Sequence, residues 1–359
     1  LCYKVCMIKK LLLWIPSFIL VFLVLLAVLL SVFEFKPEPI QDVPFSSGEK
    51  ILQKNESYSI LSWNIGYAGL GKYSDYFFSG GKDVRPSKKL NESYFNGIKN
   101  TLAQNPVDFL LIQEIDRNSH RSRYVDQFDV LKEFLNKKGA FATAYKCIFV
   151  PFPLPPIGKV DSGIATFFDF KTTSAARYSL PVLFKWPVRT ANLKRCFLVT
   201  RIPVYENGLS TEKELVLVNL HLEAFDDGQA KIAQTKKLID FLNSEYQKGN
   251  YVIAGGDFNQ TFPDAKVFPF NNTDPWVAPI LEKDSLQKDW EYCFDDSNPS
   301  CRSTCSPYVG PLAENHEFQY YLIDGFIKSP NVEISVVETL NEDFVYSDHN
   351  PIRLEFSLK

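Results

Sequence analysis

Tyr346-Ser347-Asp348-His349-Asn350-Pro351 sets a carboxylate beside one of only four histidines in the 359-residue chain, directly ahead of a strand-like run from Ile352 to Phe356. Asp-His pairs arise by chance in many proteins, so the pair carries weight only with what the rest of the chain brings to it. Working back from it, polar residues collect at the ends of apolar, strand-like runs. Tyr58 to Asn64 ends in Ser62-Trp63-Asn64-Ile65-Gly66, and Val107 to Ile112 runs into Gln113-Glu114. Glu214 to Leu220 ends in Asn219-Leu220-His221-Leu222, Tyr251 to Ala254 leads into Gly255-Gly256-Asp257-Phe258-Asn259, and Gln319 to Ile327 carries Asp324. A strand end is where an open α/β sheet puts its ligand chemistry, because the scaffold is rigid there and the loops shape a cleft.

Between these runs the periodicity alternates. Tyr94 to Leu102 and Asp126 to Lys138 read as helices, and Ala140 to Val150 and Gly163 to Phe168 as strands. Cys196 to Val204 and Glu214 to Leu220 form a hairpin across Asn207-Gly208. Asp226 or Asp227 caps a helix whose apolar positions Ala230, Ala233, Leu238, Phe241 and Leu242 share a face, and Gly249 ends it. Val332 to Glu338 and Ile352 to Phe356 close the chain as strands. Many strands with a few covering helices describe a layered α/β (α+β) domain. Phe149 to Val160, with four prolines, and residues 261–316, 56 positions of weak periodicity, read as insertions.

The N-terminal side is different in kind. Residues 11–33 hold 23 uncharged positions, enough at about 1.5 Å each to cross a hydrocarbon core of roughly 30 Å. Lys4, Lys9 and Lys10 precede the run, while Glu34 and Glu38 follow. That bias puts residues 1–10 in the cytoplasm and the body of the chain, 58–359, outside, joined by a Pro-containing spacer over 34–57. Ser31-Val32-Phe33 is a poor signal-peptidase match, which favours an uncleaved transmembrane anchor over a signal peptide that releases a secreted domain. Met7 is the only methionine and an alternative start. Cys293, Cys301 and Cys305 are close enough in sequence for one disulfide, while their spacing disfavours zinc. Asn55, Asn91 and Asn271 stand in glycosylation acceptor triplets. A formal net charge of -3 gives no global basic field for nucleic acid.

The six strand-end segments, in this order, resemble the endonuclease/exonuclease/phosphatase superfamily over roughly residues 58–358. That group includes apurinic-site nucleases, DNase I-like enzymes, neutral sphingomyelinases and inositol polyphosphate phosphatases. The resemblance implies a DNase I-like four-layer sandwich, two packed β-sheets flanked by helices, and a Mg²⁺-dependent phosphoester hydrolase, with Mn²⁺ as the substitute ion. Mg²⁺ prefers hard oxygen donors and needs few of them from the protein. By similarity Glu114 and Asn64 serve it, with Asp348 on the same or a second cation. Attack on phosphorus needs a base for the water's proton, a role that suits histidine. Relatives imply His349 for it, oriented by Asp324. His221 and Asn259 then contact phosphate oxygens or the water, and Asp257 positions the nucleophile.

Basic positions that grip extra phosphates in the inositol phosphatases are lacking in Gln260-Thr261-Phe262-Pro263-Asp264. The anchor, the apolar 149–160 loop and the aromatic segment Tyr73 to Phe78 slightly favour a lipid head group as substrate, with an exported endonuclease or exonuclease the alternative and a non-catalytic binding or adhesion protein the alternative of another class. The implied partners are a phosphoester substrate, lipid head group or nucleic acid, and the membrane through residues 11–33; no protein partner is expected.

Overall fold

A computed structural model describes residues 2–79, 81–182, 184–224, 229–269, 276–303 and 318–359. The chain opens with the long helix α1 (Cys2–Val32) and two short strands, β1 (Ile40–Asp42) and β2 (Leu52–Gln53). β3 (Ser57–Asn64), α2 (Lys88–Gln104), β4 (Phe109–Asp116) and α3 (Gln127–Phe134) follow. Then come β5 (Lys138–Val150), β6 (Gly158–Phe168), β7 (Ser174–Ser179), β8 (Cys196–Glu206) and β9 (Leu209–His221). α4 (Gln229–Gln247) and β10 (Tyr251–Asp257) precede three short strands, β11 (Glu291–Cys293), β12 (Cys301–Arg302) and β13 (Tyr320–Tyr321). β14 (Asp324–Lys328), β15 (Val332–Thr339) and β16 (Ile352–Leu358) complete the fold.

Two sheets take nearly all the strands. One runs β1-β7-β8-β9-β10-β14-β11 with β2 beside β8, and the other runs β15-β16-β3-β4-β6-β5. The central strands are apolar at successive positions because both of their faces are covered. On β9, Leu215 and Leu217 enter the core between the sheets, while Val216, Val218 and Leu220 face α4. On β4, Phe109 and Leu111 point inward, while Leu110 and Ile112 meet the residues of α2 and α3. The order helix, sheet, sheet, helices is the expected four-layer sandwich.

A buried amide pair spans the two sheets just beneath the catalytic end. Gln113 of β4 donates from Nε2 to Asn219 Oδ1 of β9 at 2.8 Å, and Asn219 Nδ2 donates to the carbonyl oxygens of Ile112 and Ala165. Both side chains are fully buried, so these hydrogen bonds fix the offset of one sheet against the other.

Several local expectations change. α2 begins at Lys88, earlier than Tyr94, because Ser87 caps it by accepting from the Leu90 N–H. Asp126 caps α3, which stops at Phe134, and Lys138 already belongs to β5. Gln319 to Ile327 is two strands, since Leu322 and Ile323 turn the chain out of β13 before β14 joins the large sheet. The Asn207-Gly208 turn forms with both residues at positive φ, and Gly249 ends α4 at φ +84°. Ala233 is exposed although Ala230, Leu238 and Leu242 are buried. Asp226, Asp227, Asn271, Cys305 and His316 lie outside the described residues. Cys293 and Cys301 are free thiols. Asn91 is buried, donating to the Ala68 carbonyl at 2.6 Å, so it is no glycosylation acceptor in the folded state.

The N-terminal helix leaves Trp14 to Leu25 exposed, and its Trp14–Val32 stretch is long and apolar enough to cross a membrane. Its end is seated on the domain. Leu30 is buried among Cys147, Val150 and Val160, and Ser31 Oγ accepts from Trp186 Nε1 at 2.9 Å. Glu34, also buried, pairs with Arg189 at 3.0 Å and Lys194 at 3.4 Å. The stretch 34–57 continues along the sheet, where β1 pairs with β7 and β2 with β8.

Candidate active site

The register of the large sheet builds half of the site. Asp257, the last residue of β10, lies opposite His221 of β9 on one side and Asp324 of β14 on the other, so three polar side chains form one row across three strands. Gly256 makes this row possible. It sits at φ +147°, and a Cβ there would fall 2.0 Å from the Leu220 carbonyl oxygen, so only glycine lets β10 run so close to β9 at that point.

The second sheet supplies the other half from β3 and β4. A bulge between Ile112 and Ile115 interrupts the β4 pairing, and Glu114 within it adopts φ 48°. Backbone strain at a functional strand end re-aims a side chain, and here it turns Glu114 toward Asn64. Asn64 Nδ2 donates to Glu114 Oε1 at 3.3 Å and to Asp257 Oδ2 at 3.0 Å, while its Oδ1 accepts from the Gly66 N–H. One amide thus ties a carboxylate from each sheet together.

The 346–351 stretch is stitched onto β3. Ser347 Oγ donates to the Asn64 carbonyl at 2.7 Å, and Trp63 Nε1 donates to the His349 carbonyl at 2.8 Å. His349 is then buried with Nδ1 at 2.8 Å from Asp324 Oδ2 and Nε2 at 3.8 Å from Asp257 Oδ2. His221 Nε2 lies 3.3 Å from the same Asp257 oxygen. Asn259, at φ 49°, donates its backbone N–H to Asp257 Oδ1 at 2.8 Å and its side-chain amide to the Leu222 carbonyl. Asp348, His349's neighbour, points elsewhere: its Oδ1 approaches Gly66 on the β3 side. The structure therefore brings all eight residues singled out from the sequence to one end of the sandwich.

Electrostatics sort them. Burial pushes Asp257 up to about 6, an effect that His349 opposes and Asp324 reinforces. Burial also pushes Asp348 up to about 6, and Glu114 adds to the rise. Burial lowers His221 well below the ordinary histidine range, helped by Arg195. For His349 burial acts downward too, but Asp324, Cys301 and Asp257 outweigh it and hold the imidazole well above its ordinary value. The two histidines are thus pushed in opposite directions.

The donor set fits a divalent cation. Crowded acids at buried Asp257 and Asp348 and half-buried Glu114 form a cluster that a hard cation would relieve, and Asp324 Oδ1 is buried without a protein partner. Asp257, Asp324 and His349 also place ligand atoms within 4.8 Å of one another. Within that trio His349 Nδ1 is already 2.8 Å from Asp324 Oδ2.

Sequence reasoning missed a flanking wall. Arg121 pairs with Asp116 through two hydrogen bonds, of 3.0 and 3.1 Å, and stacks 3.7 Å over the Tyr67 ring. Tyr76, pushed up to about 12 by burial, responds to Arg121, Glu114 and Asp348. Arg121 and Tyr67 carry no periodic signal, Asp116 ends β4, and Tyr76 falls in the aromatic segment Tyr73 to Phe78, which the sequence marks only as a contact for lipid or a ligand's apolar part. Cys301, whose Sγ lies 3.5 Å from His349 Nε2, was legible only as a cysteine.

A family model described as Endonuclease/Exonuclease/phosphatase family matches residues 61–349, which takes in every one of these groups. No curated protein matches the chain. Among solved structures, the fold is similar to an endonuclease/exonuclease/phosphatase from Bacteroides vulgatus, with TM-score 0.53 and 15% identity over 85% of this chain and 100% of the other. A Beutenbergia cavernae protein of the same description matches with TM-score 0.52 and 16% identity over 85% of this chain and 72% of that one. The catalytic domain of human Nocturnin with a bound sulfate anion matches with TM-score 0.50 and 18% identity over 88% and 97%. At these identities the likeness shows the fold.

Proposed function

The chain belongs to the endonuclease/exonuclease/phosphatase family, and from that premise we propose a Mg²⁺-dependent phosphoester hydrolase, tethered by residues 11–33 with its catalytic domain outside the cytoplasm. The observation that carries the reading is the row His221, Asp257, Asp324 with His349 closing it at 2.8 Å from Asp324. Glu114 and Asp348, with Asn64 beside them, hold the cation. When bound there, Mg²⁺ polarises the phosphoryl oxygen and offsets charge on the leaving oxygen.

Within the row His349, kept in direction by Asp324 at 2.8 Å, is proposed as the donor to a phosphate oxygen, and Asp257, whose carboxyl burial pushes up to about 6, as the base in place of the histidine first expected for it. Asp257 takes the proton of the attacking water, Asn259 fixes the other oxygen of that carboxylate, and neutral His221 donates toward substrate or Asp257.

The test is hydrolysis of sphingomyelin, phosphatidylinositol phosphates, plasmid DNA, RNA and an aryl phosphodiester with Mg²⁺ or EDTA. Turnover that needs Mg²⁺ and disappears in Asp257→Asn supports the reading. Cleavage of nucleic acid alone moves the assignment to an exported nuclease, and silence on every substrate moves it to the binding protein.

A further inference from the structure

The candidate pocket, the exit of α1 and a set of exposed apolar side chains are joined through the β5-β6 hairpin. β6 begins where β4 ends, with Asp116 paired to Ser162, so the 151–157 tip of the β5-β6 hairpin projects past the catalytic end. At that tip Phe152 is 67% exposed and Leu154 is 90% exposed. Phe152 meets Phe77 edge-on at 6.2 Å, and the next residue back, Tyr76, feels the charges of Glu114 and Asp348. On the other flank, Trp186 is 61% exposed while its indole N–H is held by Ser31, the penultimate residue of α1. Val188, 57% exposed, follows it. Tyr145 joins the two flanks: it packs with the cluster that buries Leu30, and it lies within the electrostatic reach of Arg121 and Tyr76 at the pocket.

An apolar rim left in water is a cost that a folded surface seldom carries without a partner. Here the rim is continuous with the seat of a helix long and apolar enough to cross a membrane. The groups around that seat follow the order of depth in a bilayer. The apolar helix ends at Val32, Trp186 stands level with Ser31, and the Glu34, Arg189 and Lys194 ion pairs come just after. Tryptophan at the boundary and charges just beyond it are the arrangement of a membrane interface.

We infer that this face, with Phe152, Leu154, Trp186 and Val188 at its rim, rests in the interface of the membrane that α1 crosses, and that the pocket takes a phosphoester of a lipid head group from the same leaflet. The inference builds on the hydrolase reading above. Water's oxygen bonds to phosphorus, the bond from phosphorus to the leaving alcohol's oxygen breaks, the water's proton goes to Asp257, and the leaving oxygen takes its proton from bulk water.

The test uses the full chain reconstituted in vesicles of phosphatidylcholine, sphingomyelin and phosphatidylinositol phosphate. Cys2, Cys6 and Cys305 are changed to Ser, and an environment-sensitive fluorophore is attached at Leu154→Cys or at Leu209→Cys. Leu209, 75% exposed, starts β9 at the end away from His221 and serves as the control. Brominated lipid should quench the label at 154 and leave that at 209 unchanged; equal signals at the two positions overturn the docking face. In a second arm, the double variant Phe152→Ser, Leu154→Ser should lower hydrolysis of vesicle lipid about tenfold and leave a soluble aryl phosphodiester unchanged. An equal fall on both substrates, or a wild type active on the aryl ester and inert on every lipid, overturns the substrate assignment. If neither substrate is cleaved, the hydrolase reading fails, and the quenching result still decides the docking face.

Discussion

The two ends of β10 hold buried acids in opposite ways. Where the strand begins, Glu245 at the foot of α4 is buried among Arg201 at 2.8 Å, Lys248 at 2.7 Å and Asn250 at 3.0 Å. Burial alone would raise its carboxyl, but Arg201, Lys248 and Asn250 pull it down to about 2. Where the strand ends, burial lifts Asp257 to about 6, and it lifts Asp348 across the pocket to the same level. The first acid has its cations built into the chain and is finished as structure. The second group is left short of positive charge, which is how a site holds binding energy in reserve for a cation and a phosphate.

Substitutions at the two ends should separate activity from stability. Glu114→Ala or Asp257→Asn should cut kcat on any substrate the enzyme accepts by about a thousandfold, while the urea midpoint stays level or rises. A large fall in midpoint would mean that these acids belong to the scaffold. Glu245→Ala should do the reverse, costing about 1–3 kcal/mol in urea unfolding by leaving Arg201 with Glu214 alone and the Asn250 amide without its acceptor, while kcat per folded molecule holds. Mg²⁺ at a hundredfold excess over its Kd should stabilise the wild type by about 2.7 kcal/mol, Glu245→Ala equally, and Glu114→Ala hardly at all.

The smallest effect is the dependence of stability on pH, at most about 1.4 kcal/mol per unit for each group. Glu245 is depressed from 4.5 to about 2, so its contribution is complete above 4.5 and is lost as pH falls toward 2. Asp257 and Asp348 are raised from 3.8 to about 6, so theirs is complete below 3.8 and is lost as pH rises through 6. Melts of the metal-free protein should show Asp257→Asn flattening the higher window and Glu245→Gln the lower one. Identical profiles for the two variants would erase the distinction between the ends.

What the sequence revealed of this site follows from where its residues stand. Asn64, His221, Asp257 and Asp324 end or begin strands and Glu114 sits in the bulge near the end of β4, so a change from apolar to polar marks them along the chain. The amide pair Gln113 and Asn219 lay inside the same motifs, but its role joining the sheets is a matter of partner and could not be read locally. Arg121, Tyr67 and Tyr76 reach the pocket from loops, where no periodicity points inward. The upward push on His349 depends on three neighbours converging from distant positions, which is why the residue was legible and its electrostatics were not. Helix limits shifted for a similar reason: the Ser87 cap at α2 and the early stop of α3 are set by single residues.

The place of β16 bears on how the molecule is made. The last strand of the chain lies between β15 and β3, with Ile352 beside Ser62 and Leu354 beside Ile60. β3 therefore keeps one edge open until β16, distant in sequence, docks beside it, and the 346–351 stretch reaches Trp63 and Asn64 only with that strand. Contacts so distant along the chain make for slow assembly. Without β16, β3 and β15 lose their shared neighbour and His349 its seat beside Asp324, so the candidate site is the last part of the sandwich to close.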